Sequence, residues 1–305
     1  MPRTRVFRGS YVVIVTPFRK DGSLDEEALR NNIDWYIEHG APGIICTGTT
    51  GEFDALSDEE IKHVIKVTVD QVNGRVPVIA GTAATSTWKT KELSKFAEDA
   101  GADGVMIVPP YYYLPSEEEI IEHYREVAEA IDIPIMVYNN PWTSKVDMKP
   151  QLIAKLAEFN NVRYVKESSG DIRRIEQILR LAGSKITVFC GSDVLAFESF
   201  VLGAQGWVSA TANIIPREAQ QLFRLIADEK KIDEARKLFF WMLPLLEFVE
   251  DSGKISQVVK AALNIIGEKE GIPKGGYPRK PRLPIDKDEE AKLRKILKQM
   301  GLTNT

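Results

Sequence analysis

The stretch VRYVKESSGDIRRIEQILRLAGSKITVFC, residues 162–190, contains one complete strand–helix–strand unit. Its first apolar run ends at Lys166, and small polar residues and a glycine follow. Ile172–Ala182 then has the spacing of an amphipathic helix, and Thr187–Cys190 is a second apolar run. This alternation is typical of an α/β fold whose strands are covered on both faces.

The same alternation continues along most of the chain. Short runs rich in Val and Ile predict eight strands: Tyr11–Thr16, Gly43–Cys46, Pro77–Gly81, Gly104–Val108, Pro134–Tyr138, Val162–Lys166, Thr187–Cys190 and Gly206–Ser209. Amphipathic segments between them predict helices: Asp25–His39, Asp58–Val72, Trp88–Ala100, Glu117–Ala130, Lys149–Glu158, Ile172–Ala182 and Leu195–Leu202. Ser57 and Ser116 each precede three acidic residues and are predicted helix N-caps.

Eight such units favour a closed barrel of parallel strands. The alternative is an open, doubly wound sheet, which would place a glycine-rich phosphate loop after its first strand. Thr16-Pro17-Phe18 follows the first predicted strand instead. The sequence therefore predicts an α/β fold, a (β/α)8 TIM barrel, in residues 1–228.

Beyond Pro216 the pattern becomes helical, and no further strand is predicted. The predicted helices are Arg217–Glu229, Ile232–Glu250, Ile255–Ile266 and Asp288–Met300. Gly271–Pro284 is rich in Pro, Gly, Lys and Arg, which predicts a solvated connection. We expect residues 229–305 to form a C-terminal helical domain that packs on the barrel.

The charge balance argues against two classes of partner. The chain has 40 Lys and Arg against 44 Asp and Glu, a formal net charge of −4, which leaves no basic field for nucleic acid and no polybasic membrane patch. The N-terminal residues Met1–Arg5 lack an apolar signal core, and no apolar run approaches transmembrane length. We therefore expect a cytoplasmic protein with neither a nucleic-acid nor a membrane partner.

The cysteines and histidines give no sign of a metal site. Cys46 and Cys190 end apolar runs, so they predict buried thiols in a reducing compartment, with a disulfide or a nucleophilic thiol as the alternative. His39, His63 and His123 are isolated and lack the spacing of metal ligands. No metal and no cofactor is expected.

Lys166 is the residue with the clearest chemical implication. A buried ammonium is costly unless its charge is neutralised or used, and burial lowers the pKa of a lysine. An unprotonated amine can attack a carbonyl carbon. The alternative is an ordinary surface lysine at the end of a strand.

Polar residues also follow several other predicted strands, at the end where barrel enzymes carry their active sites. The groups are Thr47-Gly48-Thr49-Thr50-Gly51-Glu52, Tyr111-Tyr112-Tyr113, Tyr138-Asn139-Asn140-Pro141, Gly191-Ser192-Asp193 and Ser209-Ala210-Thr211-Ala212-Asn213. Together with Lys166 they suit imine chemistry on a small-molecule 2-oxo acid, since a tyrosine hydroxyl can move the protons and threonine hydroxyls can hold a carboxylate.

Each of these motifs has a structural alternative. Gly48-Thr49-Thr50-Gly51 is also compatible with a tight turn, since glycine permits positive φ. The tyrosine cluster 111–113 is compatible with aromatic core or an interface surface, and Tyr138 with a buried aromatic at a strand end. Gly203-Ala204-Gln205-Gly206 is compatible with a helix C-cap leading into a strand.

The order of the motifs resembles the dihydrodipicolinate synthase / N-acetylneuraminate lyase family of class I aldolase-type enzymes. The resemblance extends from about Gly9 to Ile266 and implies the same barrel with a C-terminal helical extension. The matching segments are Thr16-Pro17-Phe18, Gly48-Thr49-Thr50-Gly51-Glu52, Pro110-Tyr111-Tyr112, Tyr138-Asn139-x-Pro141, Lys166-Glu167 and Gly203-x-x-Gly206-x-x-Ser209.

The resemblance also implies roles for single residues. Lys166 would form the Schiff base, Tyr138 would shuttle protons, and Thr49 and Tyr112 would complete a hydroxyl relay. In this family the second relay tyrosine often comes from a neighbouring subunit, so Tyr112 implies a homodimer or homotetramer. The residues implied in substrate binding are Gly48, Thr50, Thr143, Gly191 and Val208.

The resemblance is weakest where the second substrate is chosen. Dihydrodipicolinate synthases carry an arginine where this chain has Thr143, and threonine cannot form a bidentate pair with a carboxylate. Lys145 is the nearest substitute, as a point charge on a flexible stem. Sialic acid lyases usually carry Gly-Ser-Thr-Gly in place of Gly48-Thr49-Thr50-Gly51, so they match poorly as well.

The branch that fits best acts on 2-oxo acids from sugar-acid or hydroxyproline breakdown, by aldol cleavage, dehydration or deamination. The chain is thus expected to be a metal-independent lyase that forms an imine with pyruvate or a 2-keto-3-deoxy acid. The alternatives are a 4-hydroxy-tetrahydrodipicolinate synthase that condenses pyruvate with aspartate semialdehyde, a non-catalytic ligand-binding paralogue and a metal-dependent barrel aldolase.

Overall fold

Eight parallel strands close into a barrel in the computed structural model, which describes residues 5–303. Each strand pairs with the next in sequence, and the eighth pairs with the first. The strands are β1 Gly9–Val13, β2 Ile44–Cys46, β3 Val78–Gly81, β4 Gly104–Ile107, β5 Ile135–Asn139, β6 Val162–Glu167, β7 Thr187–Cys190 and β8 Gly206–Ser209. The predicted (β/α)8 barrel with a C-terminal helical extension is confirmed.

Helices alternate with the strands and then continue alone after β8. The barrel helices are α1 Glu26–Glu38, α2 Asp58–Val72, α3 Thr87–Asp99, α4 Glu117–Ala128, α5 Pro141–Ser144, α6 Pro150–Leu156, α7 Arg173–Ala182 and α8 Ala196–Val201. The helices that follow are α9 Pro216–Phe223, α10 Ile232–Asp251, α11 Ile255–Ile266 and α12 Lys287–Gln299. Helices α10 to α12 form the extension, and the division into domains 1–228 and 229–305 stays a prediction.

Aromatic side chains fill the interior at the end of the barrel where the strands begin. Phe7 stacks on Tyr164 with ring centroids 4.6 Å apart, and its backbone N–H donates to the Tyr164 hydroxyl. Its ring lies against Gly104, the first residue of β4, where a Cβ would come within 2.8 Å. Tyr11 and Phe189 continue this layer. Because this end is packed, the functional groups at the carboxyl ends of the strands form the open mouth.

The predicted caps Ser57 and Ser116 are confirmed. Each hydroxyl accepts a hydrogen bond from the backbone N–H three residues later, and the glutamate there accepts one from the serine N–H. These capping boxes satisfy backbone donors that a helix otherwise leaves free, and the acidic first turns complement the helix dipole.

The first strand lies earlier than predicted. The sequence predicts Tyr11–Thr16, whereas β1 covers Gly9–Val13, because Gly9 already pairs with Gly206 of β8. The ladder also ends early, since the Val15 N–H donates to the side chain of Asn213 at 3.3 Å. The apolar run continues past the strand because the residues after it are buried as well.

Two helical details are absent from the predicted pattern. The predicted helix Arg217–Glu229 is α-helical only as α9, Pro216–Phe223, and a π-helical turn, Arg224–Asp228, follows it. The short helix α5 was not predicted at all, and it begins with Pro141 at its first turn. The π-helical turn was missed because one wider turn hardly changes the 3.6-residue period of apolar positions. Helix α5 was missed because four residues are too few to show any period.

The prediction of a solvated connection at Gly271–Pro284 is wrong in part. The Tyr277 N–H donates to the carbonyl of Phe18 at 2.9 Å, and Arg279 forms two hydrogen bonds with Glu60 at 2.6 and 2.7 Å. A Cβ on Gly275 would lie 2.1 Å from the carbonyl oxygen of Lys260, so the backbone packs directly on α11. The glycines and charged residues serve close packing and ion pairs here rather than solvation.

Both predicted thiols, Cys46 and Cys190, are buried and unbridged. In residues 5–303 no helix has the length and apolar character needed to cross a membrane. Residues 1–4 of the N-terminal stretch Met1–Arg5, in which no signal core was expected, lie outside the described residues.

Candidate active site

Lys166 and Tyr138 lie side by side at the mouth of the barrel. They are register partners on β6 and β5, near the carboxyl end of each strand. The Lys166 Nζ is 3.9 Å from the centroid of the Tyr138 ring, and each residue is only 6% exposed. The sequence-predicted amine and phenol are therefore brought together in a site that largely excludes water.

The loop after β2 is held by side-chain and backbone hydrogen bonds. Thr47 adopts a left-handed φ of 51°, and its hydroxyl donates to the Gly81 carbonyl at 2.8 Å. The Glu52 N–H donates to the Thr49 carbonyl at 3.0 Å, which closes a tight turn. Thr50 is buried and Thr49 is half-buried. The segment forms a tight turn and also presents its polar residues in a loop. The structural and the functional interpretations of this motif are therefore compatible.

The glycines of this loop are required for close packing rather than for positive φ. A Cβ on Gly48 would lie 2.7 Å from Val13 Cγ1, and a Cβ on Gly51 would lie 3.0 Å from the Ile14 carbonyl oxygen. Positive φ values occur instead at the flanking residues Thr47 and Glu52. The loop is therefore pressed against the end of β1.

Gly191 lies directly beside Lys166. A Cβ at this position would come within 1.9 Å of the Ser168 hydroxyl oxygen and 2.8 Å of Lys166 Cγ. Only glycine leaves room here for the lysine side chain. Val208 of β8 is 1% exposed and belongs to the same cluster of inward-facing side chains as Tyr138.

Tyr112 does not reach the other predicted site residues within one chain. It is 92% exposed, whereas its neighbour Tyr111 packs against the inward-facing cluster that contains Tyr138. The Tyr111 ring also meets Phe53 edge-on, with centroids 6.2 Å apart, and burial raises the pKa of the Tyr111 hydroxyl.

Thr143 lies on α5, which follows β5 directly, and its side chain is exposed. Its hydroxyl oxygen is 3.2 Å from Asn140 Nδ2. The Lys145 ammonium does not take the position of a missing arginine, because it donates to the carbonyl of Trp142 at 2.7 Å. Trp142 in turn donates from its indole to the Ser169 carbonyl at 3.1 Å. The loop after β5 is thus tied to itself and to the loop after β6.

A buried carboxylate near Lys166 was not singled out from the sequence. Asp193 accepts hydrogen bonds from Trp207 Nε1 at 2.9 Å and from the backbone and hydroxyl of Thr211 at 2.8 and 2.5 Å. Burial raises the pKa of Asp193, and these bonds and the charge of Lys166 oppose that shift. Asp193 follows β7 in the predicted Gly191-Ser192-Asp193 group, so its position was the available signal.

A buried ion pair beneath the loop after β2 was also missed. Glu52 is completely buried, and its Oε1 is 2.5 Å from the ammonium of Lys260, which is 1% exposed. Lys260 lies on α11, whose sequence has the pattern of an ordinary amphipathic helix and does not indicate a buried charge. Among residues 5–303 there is no cluster of three or more His, Cys, Asp or Glu side chains arranged for a metal ion.

Comparisons with known proteins agree with this fold and place the chain in one family. A profile of the Dihydrodipicolinate synthetase family matches residues 6–300. The 4-hydroxy-tetrahydrodipicolinate synthase of Pelobacter propionicus is 40% identical over 299 residues, 97% of this chain and 100% of the relative. The enzyme with the same name from Thermodesulfovibrio yellowstonii is 40% identical over 301 residues, 97% of this chain and 99% of the relative.

Solved structures show the same architecture. Dihydrodipicolinate synthase from Aquifex aeolicus superposes with a TM-score of 0.92 at 35% identity, over 97% of this chain and 99% of its own. A prophage protein of the dihydrodipicolinic acid synthase family from E. coli K12, solved in complex with pyruvate, gives a TM-score of 0.92 at 29% identity. That comparison covers 98% of this chain and 100% of the prophage protein.

Proposed function

Since the chain belongs to the dihydrodipicolinate synthetase family of metal-independent, class I aldolase-type lyases, we propose that Lys166 forms an imine with pyruvate or a 2-keto-3-deoxy acid. The observation that carries the proposal is the buried Lys166 amine, 3.9 Å from the ring centroid of Tyr138. A buried amine next to a phenol has both a nucleophile and a proton carrier within one small space.

The first step is addition of the amine to the ketone. The lone pair on Lys166 Nζ attacks C2 of the 2-oxo acid, and a proton moves from nitrogen to the former carbonyl oxygen, which gives a carbinolamine. Tyr138 donates the proton that lets this hydroxyl leave as water, and the protonated imine remains. Thr49 relays the proton that restores the Tyr138 hydroxyl.

The protonated imine then accepts electrons. When the C3–C4 bond of a 2-keto-3-deoxy acid breaks, the C4 hydroxyl gives its proton to the relay of Tyr138 and Thr49, and the bond's electron pair moves into the imine. An aldehyde and an enamine form. Protonation of the enamine at C3 and hydrolysis of the imine release pyruvate and the free lysine. The reverse sequence makes the bond, so the same residues serve cleavage and condensation.

The carboxylate of the 2-oxo acid is assigned to the loop after β2. Thr50 is buried there, and Gly48 and Thr49 of the same loop supply further backbone N–H groups. Hydroxyls and backbone N–H groups bind a carboxylate through charge-assisted hydrogen bonds. Gly191 and Val208 complete the pocket, because one leaves space beside Lys166 and the other provides an apolar wall.

Tyr112 is assigned to the relay of a neighbouring copy, which makes the protein a homodimer or homotetramer. Its exposure supports this assignment, because Tyr112, Tyr113 and Leu114 are all exposed and contiguous exposed apolar side chains mark interaction surfaces. A reducing cytoplasm is the assigned location, because Cys46 and Cys190 are buried free thiols.

The favoured substrate branch follows from the loop after β5. A dicarboxylate product such as that of the synthase calls for a cation near Thr143, yet Thr143 is neutral and Lys145 is bonded to the Trp142 carbonyl. Thr143 instead offers a hydroxyl, which suits the hydroxyl groups of a 2-keto-3-deoxy sugar acid. Aldol cleavage or dehydration of such an acid is therefore the first candidate.

Synthesis of 4-hydroxy-tetrahydrodipicolinate from pyruvate and aspartate semialdehyde is the second candidate. The names of the relatives at about 40% identity favour it. Both candidates use the same lysine, so the second substrate alone separates them.

A panel of assays tests the proposal. Purified wild-type protein is offered 2-keto-3-deoxy sugar acids, a hydroxyproline-derived imino acid, and pyruvate with aspartate semialdehyde. We expect the largest kcat/KM with a 2-keto-3-deoxy acid, and we expect Thr143→Arg to improve the value for aspartate semialdehyde. If the wild type prefers aspartate semialdehyde, the second candidate replaces the first. If no 2-oxo acid is turned over, the imine mechanism itself is contradicted.

A further inference from the structure

Asn140 has no assigned role, yet its side chain contacts the proposed proton shuttle. It follows Tyr138 by two residues and lies between β5 and α5. Its Nδ2 is 2.9 Å from the Tyr138 hydroxyl oxygen and 3.2 Å from the Thr143 hydroxyl oxygen. The amide thus joins the end of β5 to the first turn of α5.

The direction of this hydrogen bond matters for proton transfer. The amide nitrogen can only donate, so the phenol oxygen accepts, and the Tyr138 hydroxyl hydrogen must point elsewhere. That hydrogen is thus left for transfer to the substrate, while the Lys166 amine lies over the same ring. The hydrogen bond also strengthens when the phenol loses its proton, because bonds to a charged oxygen are shorter and stronger.

We propose that Asn140 is a positioning residue for Tyr138, which it orients as a proton donor and whose transient phenolate it stabilises. This inference rests on the proposed function, since it needs Tyr138 to transfer protons in imine chemistry. The backbone supports the amide as well: the N–H groups of Thr143 and Ser144 donate to the Asn140 carbonyl at 3.3 and 3.0 Å. Asn140 is therefore fixed at the start of α5 rather than free to rotate with a mobile loop.

Other ionisable groups surround the Tyr138 phenol. Lys166 lies on β6, Tyr111 approaches from the loop after β4, and Asp193 lies after β7, where its carboxylate interacts with the charge of Lys166. Tyr124 on α4 donates to the Ile107 carbonyl, and Glu167 accepts a hydrogen bond from Asn139. Among the contacts of the described residues, Asn140 is the side chain that donates to the phenol oxygen.

The test compares Asn140→Leu and Asn140→Asp with the wild type, using whichever 2-oxo acid the enzyme turns over. Leucine has a similar size and no donor, so kcat should fall roughly 10- to 100-fold with little change in KM. The high-pH limb of the kcat profile should move to higher pH, because the phenolate is no longer stabilised. Asn140→Asp should show a larger fall and a larger movement, since a carboxylate opposes a negative phenolate.

A double-mutant cycle separates positioning from mere structural support. In a Tyr138→Phe background, which lacks the phenol oxygen, Asn140→Leu should change kcat by about twofold or less. Asn161→Leu is the matched control: Asn161 Nδ2 also donates two hydrogen bonds, to the Ala128 and Ile131 carbonyls, but it lies at the opposite end of β6. This variant should lose stability without moving the pH profile.

Two outcomes would overturn the inference. One is an equal fall in kcat for Asn140→Leu with and without the Tyr138 hydroxyl. The other is an unmoved high-pH limb in both Asn140 variants. Borohydride trapping of pyruvate on Lys166, measured on the wild type in parallel, reports the proposed function separately, because imine formation on the wild-type lysine does not depend on either Asn140 variant.

Discussion

Lys166 and Lys260 are both buried lysines, and their surroundings differ completely. Lys260, 1% exposed, lies 2.5 Å from the buried carboxylate of Glu52 and donates to the Tyr277 carbonyl at 2.9 Å. Its ammonium also lies 4.4 Å from the centroid of the Phe18 ring. The carboxylate, the carbonyl and the ring all contact this ammonium, which indicates a structural role.

Lys166 instead faces a phenol ring, and the carboxylate that interacts with its charge, Asp193, is already engaged. Both oxygens of Asp193 accept hydrogen bonds from Trp207 and Thr211. Among residues 5–303, the Lys166 amine therefore has no carboxylate of its own within ion-pair distance. Burial alone therefore does not create a nucleophile; a buried amine becomes reactive when its charge is left without a dedicated partner.

The two regions are nevertheless connected. Glu52 ends the same loop whose Thr49 and Thr50 lie at the mouth, and the Ser256 hydroxyl of α11 lies 3.3 Å from the Thr49 carbonyl. The Arg279 N–H donates to the other carboxylate oxygen of Glu52 at 2.9 Å. Lys260 thus helps to hold the loop that carries Thr49 and Thr50, beside the proposed nucleophile Lys166.

Replacing the reactive lysine should have the largest effect. Lys166→Met keeps a long side chain but removes the amine, so we expect kcat to fall by on the order of 10⁴-fold or more. The thermal midpoint should stay close to that of the wild type, because a buried charge is replaced by an apolar chain. Steady-state assays measure kcat, and thermal unfolding measures the midpoint. If Lys166→Met kept substantial turnover, Lys166 would not be the nucleophile and would not differ from Lys260 in that respect.

Removing the phenol beside Lys166 should have the next largest effect. Tyr138→Phe keeps the ring and deletes the proton carrier, so kcat should fall by roughly 10²- to 10⁴-fold. KM for the 2-oxo acid should change little, since the carboxylate is assigned to the loop after β2. A variant that keeps wild-type kcat would show that the partner of Lys166 is passive packing, like the Phe18 ring next to Lys260.

Breaking the structural pair should affect stability first. Lys260→Met leaves the Glu52 carboxylate buried without its counter-charge, which should lower the free energy of unfolding by about 3–5 kcal/mol. The double variant Glu52→Gln/Lys260→Met should recover part of this loss, because no unpaired charge remains. Denaturant unfolding measures both. If the single and double variants were equally destabilised, the loss of stability in Lys260→Met would not come from the unpaired Glu52 carboxylate.

The smallest predicted effect is a dependence of that stability on pH. Burial lowers the pKa of Lys260 from 10.5 to about 8, with Glu52 acting in the opposite direction. Between pH 8 and 10.5 the unfolded chain then binds more protons at this residue, so the contribution of Lys260 to stability rises with pH. The destabilisation in Lys260→Met should grow by about 1–2 kcal/mol from pH 8 to 9.5. If this destabilisation instead became smaller as the pH rises, the interaction with Glu52 would outweigh burial in setting the pKa of Lys260.

Much of the fold could be predicted because each strand carries its own signal. Val162–Lys166 and Gly206–Ser209 are apolar runs bounded by polar or glycine residues, and both begin at the predicted residue. The site was predictable in the same way, since Lys166 and Tyr138 occupy ends of neighbouring strands, where a barrel brings side chains together.

What was missed depends on contacts between distant parts of the chain. Lys260 reads as one polar residue on an amphipathic helix, and only the folded chain places it against Glu52. The packed segment around Arg279 looks solvated in sequence, because charged and glycine residues are also typical of loops. Asn140 lies within the Tyr138-Asn139-Asn140-Pro141 motif, but no residue spacing indicates that its amide donates a hydrogen bond to the Tyr138 hydroxyl.

The most direct measurement is reductive trapping with pyruvate and borohydride, followed by peptide mass spectrometry of every lysine. We expect one irreversible adduct per chain, on Lys166, with Lys260 unmodified in the same sample and no adduct in Lys166→Met. An adduct on Lys260, or none on Lys166 at saturating pyruvate, would contradict the claim that the unpaired buried amine is the reactive one.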